Sequence, residues 1–399
     1  MALVRGVFAS VALGVLLSAT SSFAKTADTD SQSPSEQAIW EWHSAYTADV
    51  IGVVDGADVR AGRYLDNLDV SLDGDLERQF GWRGARAHIS LLANGGGQPN
   101  AIAETLQGYD NIEVGSHGVR LFEAWIEQDL ADGRASVLAG LYDVNSEFYS
   151  TEASDLLISP PFGIGSELAA TGPNGPSIFP STSLAVRVRL GSADGLHAQF
   201  AAVNAKASAI GDDGGIDTTL DDGALYLAEF GWSGPVRVVI GGWRYGEAQE
   251  DIRDLDPFGD PALTDAQGAY LVAEGTLFEA EDKPTLRAFA RLGASDGDTT
   301  DFKGGWQAGL RVDSVFQSRP DSAFSIGFDQ GFLSDKARAN ALDAGTQFGD
   351  AESGVEITYA DTFGPFTIQP DLQWIHNPGG DRNRDAIVTA GLRVILTLK

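Results

Sequence analysis

Arginine, carboxylate and aromatic side chains recur at even spacing in otherwise apolar stretches of this chain. The sets are Arg86 and His88; Glu123, Trp125 and Glu127; Arg187 and Arg189; Arg287 and Arg291; with Arg311 and Arg393 in similar surroundings. On an extended chain residues i, i+2 and i+4 share one face, so each set lines up on one side of its strand. Guanidinium and carboxylate groups give strong directional hydrogen bonds, and rings cover apolar surface. That chemistry holds and releases a polar solute; it does not assemble a nucleophile. None of the five histidines, His43, His88, His117, His197 and His376, sits in a recognisable nucleophile motif. With no cysteine, disulfides, thiolate metal sites and cysteine catalysis are excluded, and no cofactor or metal is expected.

The strands that carry these groups have one greasy side. Leu184, Val186, Val188 and Leu190 oppose Arg187 and Arg189; Leu286, Ala288, Ala290 and Leu292 oppose Arg287 and Arg291; Trp306, Ala308, Leu310 and Val312 oppose Gln307, Arg311 and Asp313. From Ala386 to Leu398 the alternation is cleanest, with Val388, Ala390, Leu392, Val394 and Leu396 on one face and Thr389, Gly391, Arg393 and Thr397 on the other, together with Ile387 and Ile395. An arginine facing the bilayer midplane costs roughly 2–4 kcal/mol. In a membrane barrel the arginines therefore point into the lumen, and the interior is polar.

Residues 1–24 read as a signal peptide: Arg5, an apolar run from Val7 to Leu17, and a small-residue end at Ser22-Phe23-Ala24. A polar segment covers 25–37, and 38–399 forms the barrel. About sixteen strand-length spans follow, from 38–54 to 386–398, with no apolar run of the roughly 20 residues a membrane helix needs. From the third strand onward long and short connections alternate. Long ones include 95–116, 145–180, 206–222, 247–267 and 332–352; short ones include Ala131-Asp132-Gly133, Ser233-Gly234 and Thr362-Phe363-Gly364. Outer-membrane barrels have this parity, with long loops outside and short turns in the periplasm. The expected fold is all-β: an antiparallel transmembrane barrel of about 16 strands in the outer membrane. Its longest loop, 145–180, is broken by Pro160-Pro161 and Gly172-Pro173, and is expected to fold inward as a constriction. Asn145, Glu147 and Phe148 are its expected anchors. A short helix is expected within 98–107. The 57 Asp and Glu against 27 Lys and Arg, a formal charge of −30, argue against nucleic-acid partners. The acids crowd the loops, where they are solvated or bridged by divalent cations.

Three segments resemble the carbohydrate-selective porins of the OprB type. Near the start are Tyr64-Leu65-Asp66-Asn67-Leu68-Asp69 and Gly81-Trp82-Arg83-Gly84-Ala85. In the middle are Arg120 to Gln128 and Ala139 to Phe148, and near the end Gln369-Pro370-Asp371-Leu372-Gln373-Trp374-Ile375-His376-Asn377-Pro378-Gly379-Gly380 precedes Gly391-Leu392-Arg393. The resemblance implies a sixteen-stranded, monomeric barrel that admits monosaccharides and similar neutral solutes. It also implies lipopolysaccharide and the barrel-assembly machinery as surroundings. The chain departs from the pattern of many such barrels by ending Leu396-Thr397-Leu398-Lys399 rather than on an aromatic residue. For a sugar, the eleven side chains from Arg86 to Arg393 named above are the expected pore lining. Glucose conduction is the expected function, with general or ion-selective diffusion as the alternative.

Overall fold

The structure, a computed structural model, describes residues 38–192, 194–280 and 284–398. The signal-peptide and polar-segment assignments at 1–37, the turn at 281–283 and Lys399 lie outside the described residues.

Sixteen strands close into one antiparallel barrel: β1 (Trp40–Asp55), β2 (Gly62–Asp75), β3 (Ala85–Gly96), β4 (Gly118–Leu130), β5 (Ala135–Tyr142), β6 (Ser183–Gly191), β7 (Gly195–Asn204), β8 (Ala224–Ser233), β9 (Val236–Tyr245), β12 (Gln267–Phe278), β13 (Thr285–Ser295), β14 (Phe302–Asp313), β15 (Ala323–Leu333), β16 (Ala351–Phe363), β17 (Phe366–His376) and β18 (Ile387–Leu398). Each pairs with its sequence neighbours, and β1 closes the ring against β18 from Ser44↔Leu398 to Asp55↔Val388. Closure leaves no edge strand, so every wall ladder has a partner. Among the described residues no helix is long and apolar enough to cross a membrane; the strands cross it.

Long loops gather at one end and short turns at the other. At Ala131, Asp132 and Gly133 the backbone takes positive φ, which closes the β4–β5 hairpin tightly. One feature was not expected: the loop between β9 and β12 holds a separate hairpin, β10 (Gln249–Leu255) with β11 (Pro261–Thr264). The expectation from its acidic composition is a loop whose carboxylates are solvated or bridged by divalent cations. Against it packs α4 (Asp335–Asp343), capped by the Ser334 side chain and tied by Lys336 to Asp251, Asp254 and Asp298. The expected helix within 98–107 is a single turn, α2 (Asn100–Ala103).

Outward faces are apolar and exposed, as at Val186, Leu190, Ile240, Leu292 and Leu392. The inward face is not uniformly polar, which corrects the expectation of a polar interior. On β7, β8, β9 and β12 the inward residues Ala201, Val203, Leu225, Leu227, Val239, Trp243, Tyr270 and Val272 are buried, and they pack against loop residues Phe148, Tyr149, Ile164 and Leu168. A second inward segment sets Ala103, Tyr109 and Ile112 against Ile51, Val53, Leu65, Ile375 and Ile387. A wall covered by a loop is an ordinary protein core, where burying apolar area stabilises at about 25 cal/mol per Å2. At Gly327 on β15 a Cβ would come within 2.5 Å of Phe162 and 2.6 Å of Leu157, so the loop lies directly on the backbone of the wall.

Candidate functional site

The wall of β3 and β4 carries several of the expected pore-lining side chains, of which Arg86 is the open one. Alternation turns Arg86 and His88 inward on β3, and Glu123, Trp125 and Glu127 inward on β4. A register shift opposite Ser90 and Leu91 changes the phase of β4, which brings the even-numbered Arg120 inward as well. The His88 and Trp125 rings stack at 5.1 Å between centroids, 17° from parallel. His88 Nδ1 lies 2.8 Å from Asp73 Oδ1, and Trp125 Nε1 donates to Glu123 Oε1 at 3.2 Å. Beside the stack, Arg86 donates Nε to Glu127 Oε2 at 2.8 Å while its side chain stays 57% exposed. The result is a stacked ring pair bordered by the Arg86–Glu127 ion pair and the Asp73 and Glu123 carboxylates.

Diametrically across the sixteen-strand ring, eight strands from β3, stands β13. Arg287 Nε lies 3.4 Å from Asp313 Oδ2 and its Nη1 lies 3.8 Å from the Glu152 carboxylate of the large loop. Next to it Arg311 donates to Asp313 Oδ1 at 2.7 Å and to the Glu152 carbonyl at 3.2 Å. Both walls therefore present arginine held by carboxylate, and the loop segment around Glu152 lies against the second.

A family model described as carbohydrate-selective porin, OprB family, matches residues 60–398. The chain belongs to this family. Porin B of Pseudomonas aeruginosa is 23% identical, over 89% of this chain and 87% of its own length. Among solved structures, the high-pH structure of Pseudomonas putida OprB superposes with a TM-score of 0.80 at 21% identity, covering 90% of this chain and 94% of that one. The low-pH structure of the same protein gives 0.57 at 18%, covering 90% and 92%. An anion-selective porin from Comamonas acidovorans gives 0.54 at 13%, covering 90% and 99%. The protein is thus an outer-membrane porin, a channel rather than an enzyme by family and fold, and carbohydrates are the solutes its family carries. Its long-loop end faces outward and its turn end the periplasm.

Three arginines expected to line this porin's pore are covered instead. Arg187 is fully buried, donating from Nη2 to Glu127 Oε1 at 3.0 Å and to Glu147 Oε1 at 2.8 Å and from Nη1 to Ser136 Oγ at 2.6 Å. Arg291 donates to three loop carbonyls, Tyr149 at 3.1 Å, Pro161 at 2.8 Å and Gly163 at 2.7 Å. Arg393 grips Asp49 across the closing seam at 2.7–3.0 Å and reaches Asn111 at 2.7 Å. Each faces inward as alternation requires; the loops then fold over them. Arg189 shares the face of Arg187, but its side chain makes no hydrogen bond or ion pair with any described residue.

The segment after β5 begins at the three expected anchor residues. Asn145 Nδ2 donates to the carbonyls of Phe148 and Gly163, at 3.2 and 3.1 Å; the Glu147 carboxylate takes the Arg187 guanidinium; Phe148 is buried in the loop core. From there the loop runs along the inner wall, and wall side chains satisfy its backbone. Glu229 on β8 accepts Tyr149 N–H at 2.8 Å, Glu274 on β12 accepts Glu152 and Ala153 N–H at 2.8 and 3.1 Å, and Glu356 on β16 accepts Ile158 and Ser159 N–H at 2.5 and 2.8 Å. Arg237 on β9 donates to the Ser150 carbonyl at 2.8 Å and Gln369 on β17 to that of Leu156 at 2.7 Å. Sequence reasoning missed these wall residues. Alternation places all of them on the inward face, but nothing in their spacing distinguishes a clamp from a pore lining.

Burial raises the carboxyl groups inside these loops. Asp143, also facing Glu123, is pushed up to about 8; Asp110 reaches about 8 despite Arg393; Asp155 reaches about 6 with Arg311 opposing the rise.

Proposed function

We propose that the porin conducts monosaccharides such as glucose passively, through a lumen lined by the His88–Trp125 stack, Arg86, Glu123 and Asp73 on one wall and Arg287, Arg311 and Glu152 on the other. The stacked pair carries this reading. A pyranose has an apolar C–H face and a rim of hydroxyls. A double ring covers the face, while charged groups fixed beside it replace the water that the hydroxyls surrender. Pre-pairing with carboxylates holds the arginines in place and leaves little field to penalise a neutral solute. Binding has to stay weak for flux, with a dissociation constant of about 1 mM corresponding to only about −4 kcal/mol. The large loop narrows the passage by occupying part of the lumen. The family resemblance supports a monomeric barrel, placed by the assembly machinery in a bilayer with lipopolysaccharide outside.

The test is single-channel conductance of the refolded porin in planar bilayers before and after adding glucose, with arabinose and a disaccharide as comparisons. Glucose should reduce the current at millimolar levels, and Trp125→Ala should raise the half-blocking concentration severalfold without altering sugar-free conductance. A current indifferent to every sugar would demote the function to general diffusion.

A further inference from the structure

The eight outward connections 56–61, 97–117, 143–182, 205–223, 246–266, 296–301, 334–350 and 377–386 hold 29 Asp and Glu against 7 Lys and Arg, a net −22. Without the two loops that fold onto the inner wall, 97–117 and 143–182, the other six hold 21 Asp and Glu against 7 Lys and Arg, so a net −14 is set around the outer mouth. Inside, positive charge is cancelled locally. Arg86, Arg120, Arg187, Arg237, Arg287, Arg311 and Arg393 each lie within 3.4 Å of a carboxylate. The carboxylates left most open along the passage are Glu152, 84% exposed, and Asp73, 46% exposed.

We infer that this channel is cation-selective and that its solute range extends from neutral sugars to positively charged ones such as amino sugars, while acidic sugars are turned away at the mouth. The carbohydrate part of this statement rests on the proposed function; the sign of the ion selectivity does not. A funnel lined by one sign of charge builds a potential of several kT and concentrates the opposite ion, and rings of Asp and Glu select cations in channels generally. The arginines inside would reverse that preference only if they were free, and their carboxylate partners prevent it. Arg189 and Arg291, which lack a carboxylate partner, are two cations against a mouth of −14.

Two measurements test this in the full-length barrel. The reversal potential across a tenfold KCl gradient at tens of millimolar salt should show potassium several times more permeant than chloride. The preference should collapse near 1 M, where the screening length falls to about 3 Å. Liposome uptake at low salt should rank glucosamine at or above glucose, with gluconate severalfold slower. Replacing exposed outer carboxylates, in Asp213→Asn, Asp221→Asn, Asp222→Asn and Glu250→Gln together, should reduce the potassium preference and speed gluconate, leaving glucose unchanged. A chloride-directed reversal potential, or gluconate entering as fast as glucose at low salt, would overturn the inference. Cation selectivity without entry of any sugar would instead refute the carbohydrate reading and leave the charge argument standing.

Discussion

Arg291 is the point at which the large loop is most vulnerable. Its guanidinium, fully buried on β13, fastens the loop near Tyr149 and again at Pro161 and Gly163, so one side chain ties together both limbs of the inner bend. The Tyr149 ring, 5.6 Å from the guanidinium carbon, stacks in turn on Tyr270 at 4.1 Å. Arg291→Met keeps the apolar stem of the side chain and removes every donor. A hydrogen bond from a charged donor contributes about 1.5–3 kcal/mol, but the guanidinium also loses hydration on burial, so three such bonds do not simply add. Leaving buried carbonyls without a donor costs about 1–3 kcal/mol. At about 1.4 kcal/mol per factor of ten, the undocked population of the loop should rise roughly five- to a hundredfold.

That change should read out in the loop and not in the wall, because Arg291 contributes only its backbone to the ladder of β12, β13 and β14. Single-channel records of Arg291→Met should flicker between conductance levels, and glucose block should weaken. Limited proteolysis should cut between 149 and 163, while the barrel keeps its resistance to SDS at room temperature. Arg291→Lys should rescue partially, since an ammonium cannot span three carbonyls with a planar fork. A trace as quiet as that of the parent protein, with the loop still resistant to protease, would refute the claim that Arg291 holds the loop.

Two further perturbations separate loop from wall. Asp143 has a carboxyl raised to about 8 in the folded loop, above its ordinary 3.8, so its protonated form favours docking fully below about pH 4 and that contribution is lost as pH rises through 8. Loop opening, followed by proteolysis or current noise, should therefore increase from pH 5 to 9; Asp143→Asn, which still accepts the Asn145 N–H, should flatten part of that rise, and an unchanged pH profile would discount the group. Arg393→Met leaves Asp49 buried and unpaired at the β1–β18 seam and should destabilise the closed barrel by about 3–5 kcal/mol, seen as a lower temperature for the unfolded band shift on a gel, whereas a shift unchanged within error would mean the seam depends on its backbone ladder alone.

The wall was legible because strand period and loop parity are imposed by the bilayer. Lipid penalises an outward arginine and an unpaired backbone group, so the pattern at Arg187, Arg291 and Arg393 could be read directly as inward. Which inward residues stay open could not be read that way. Arg86 and Arg187 look alike in sequence, each in a strand with apolar neighbours, yet one is more than half exposed and the other is sealed under Glu147. The difference lies in the path of a loop more than thirty residues long, and period-2 alternation carries no information about it. The apolar inner faces of β8 and β9 were the available signal. Leu225, Leu227 and Val239 are inward residues that would be costly against water, and in hindsight they mark where a loop must lie.

The same physics explains why the loop itself gave so little sign of its course. A segment rich in proline and glycine cannot satisfy its own backbone with a helix or a ladder, and once it enters the barrel it loses water as a partner. The wall has to supply the missing bonds, and Glu229, Glu274, Glu356, Arg237, Arg291 and Gln369 do so by binding loop N–H and C=O groups. Clamps of this kind depend on loop conformation and hardly at all on loop side chains. The order of the large loop is therefore written in polar and charged residues of strands that lie far from it in sequence, with Glu356 and Ile158 separated by 198 positions.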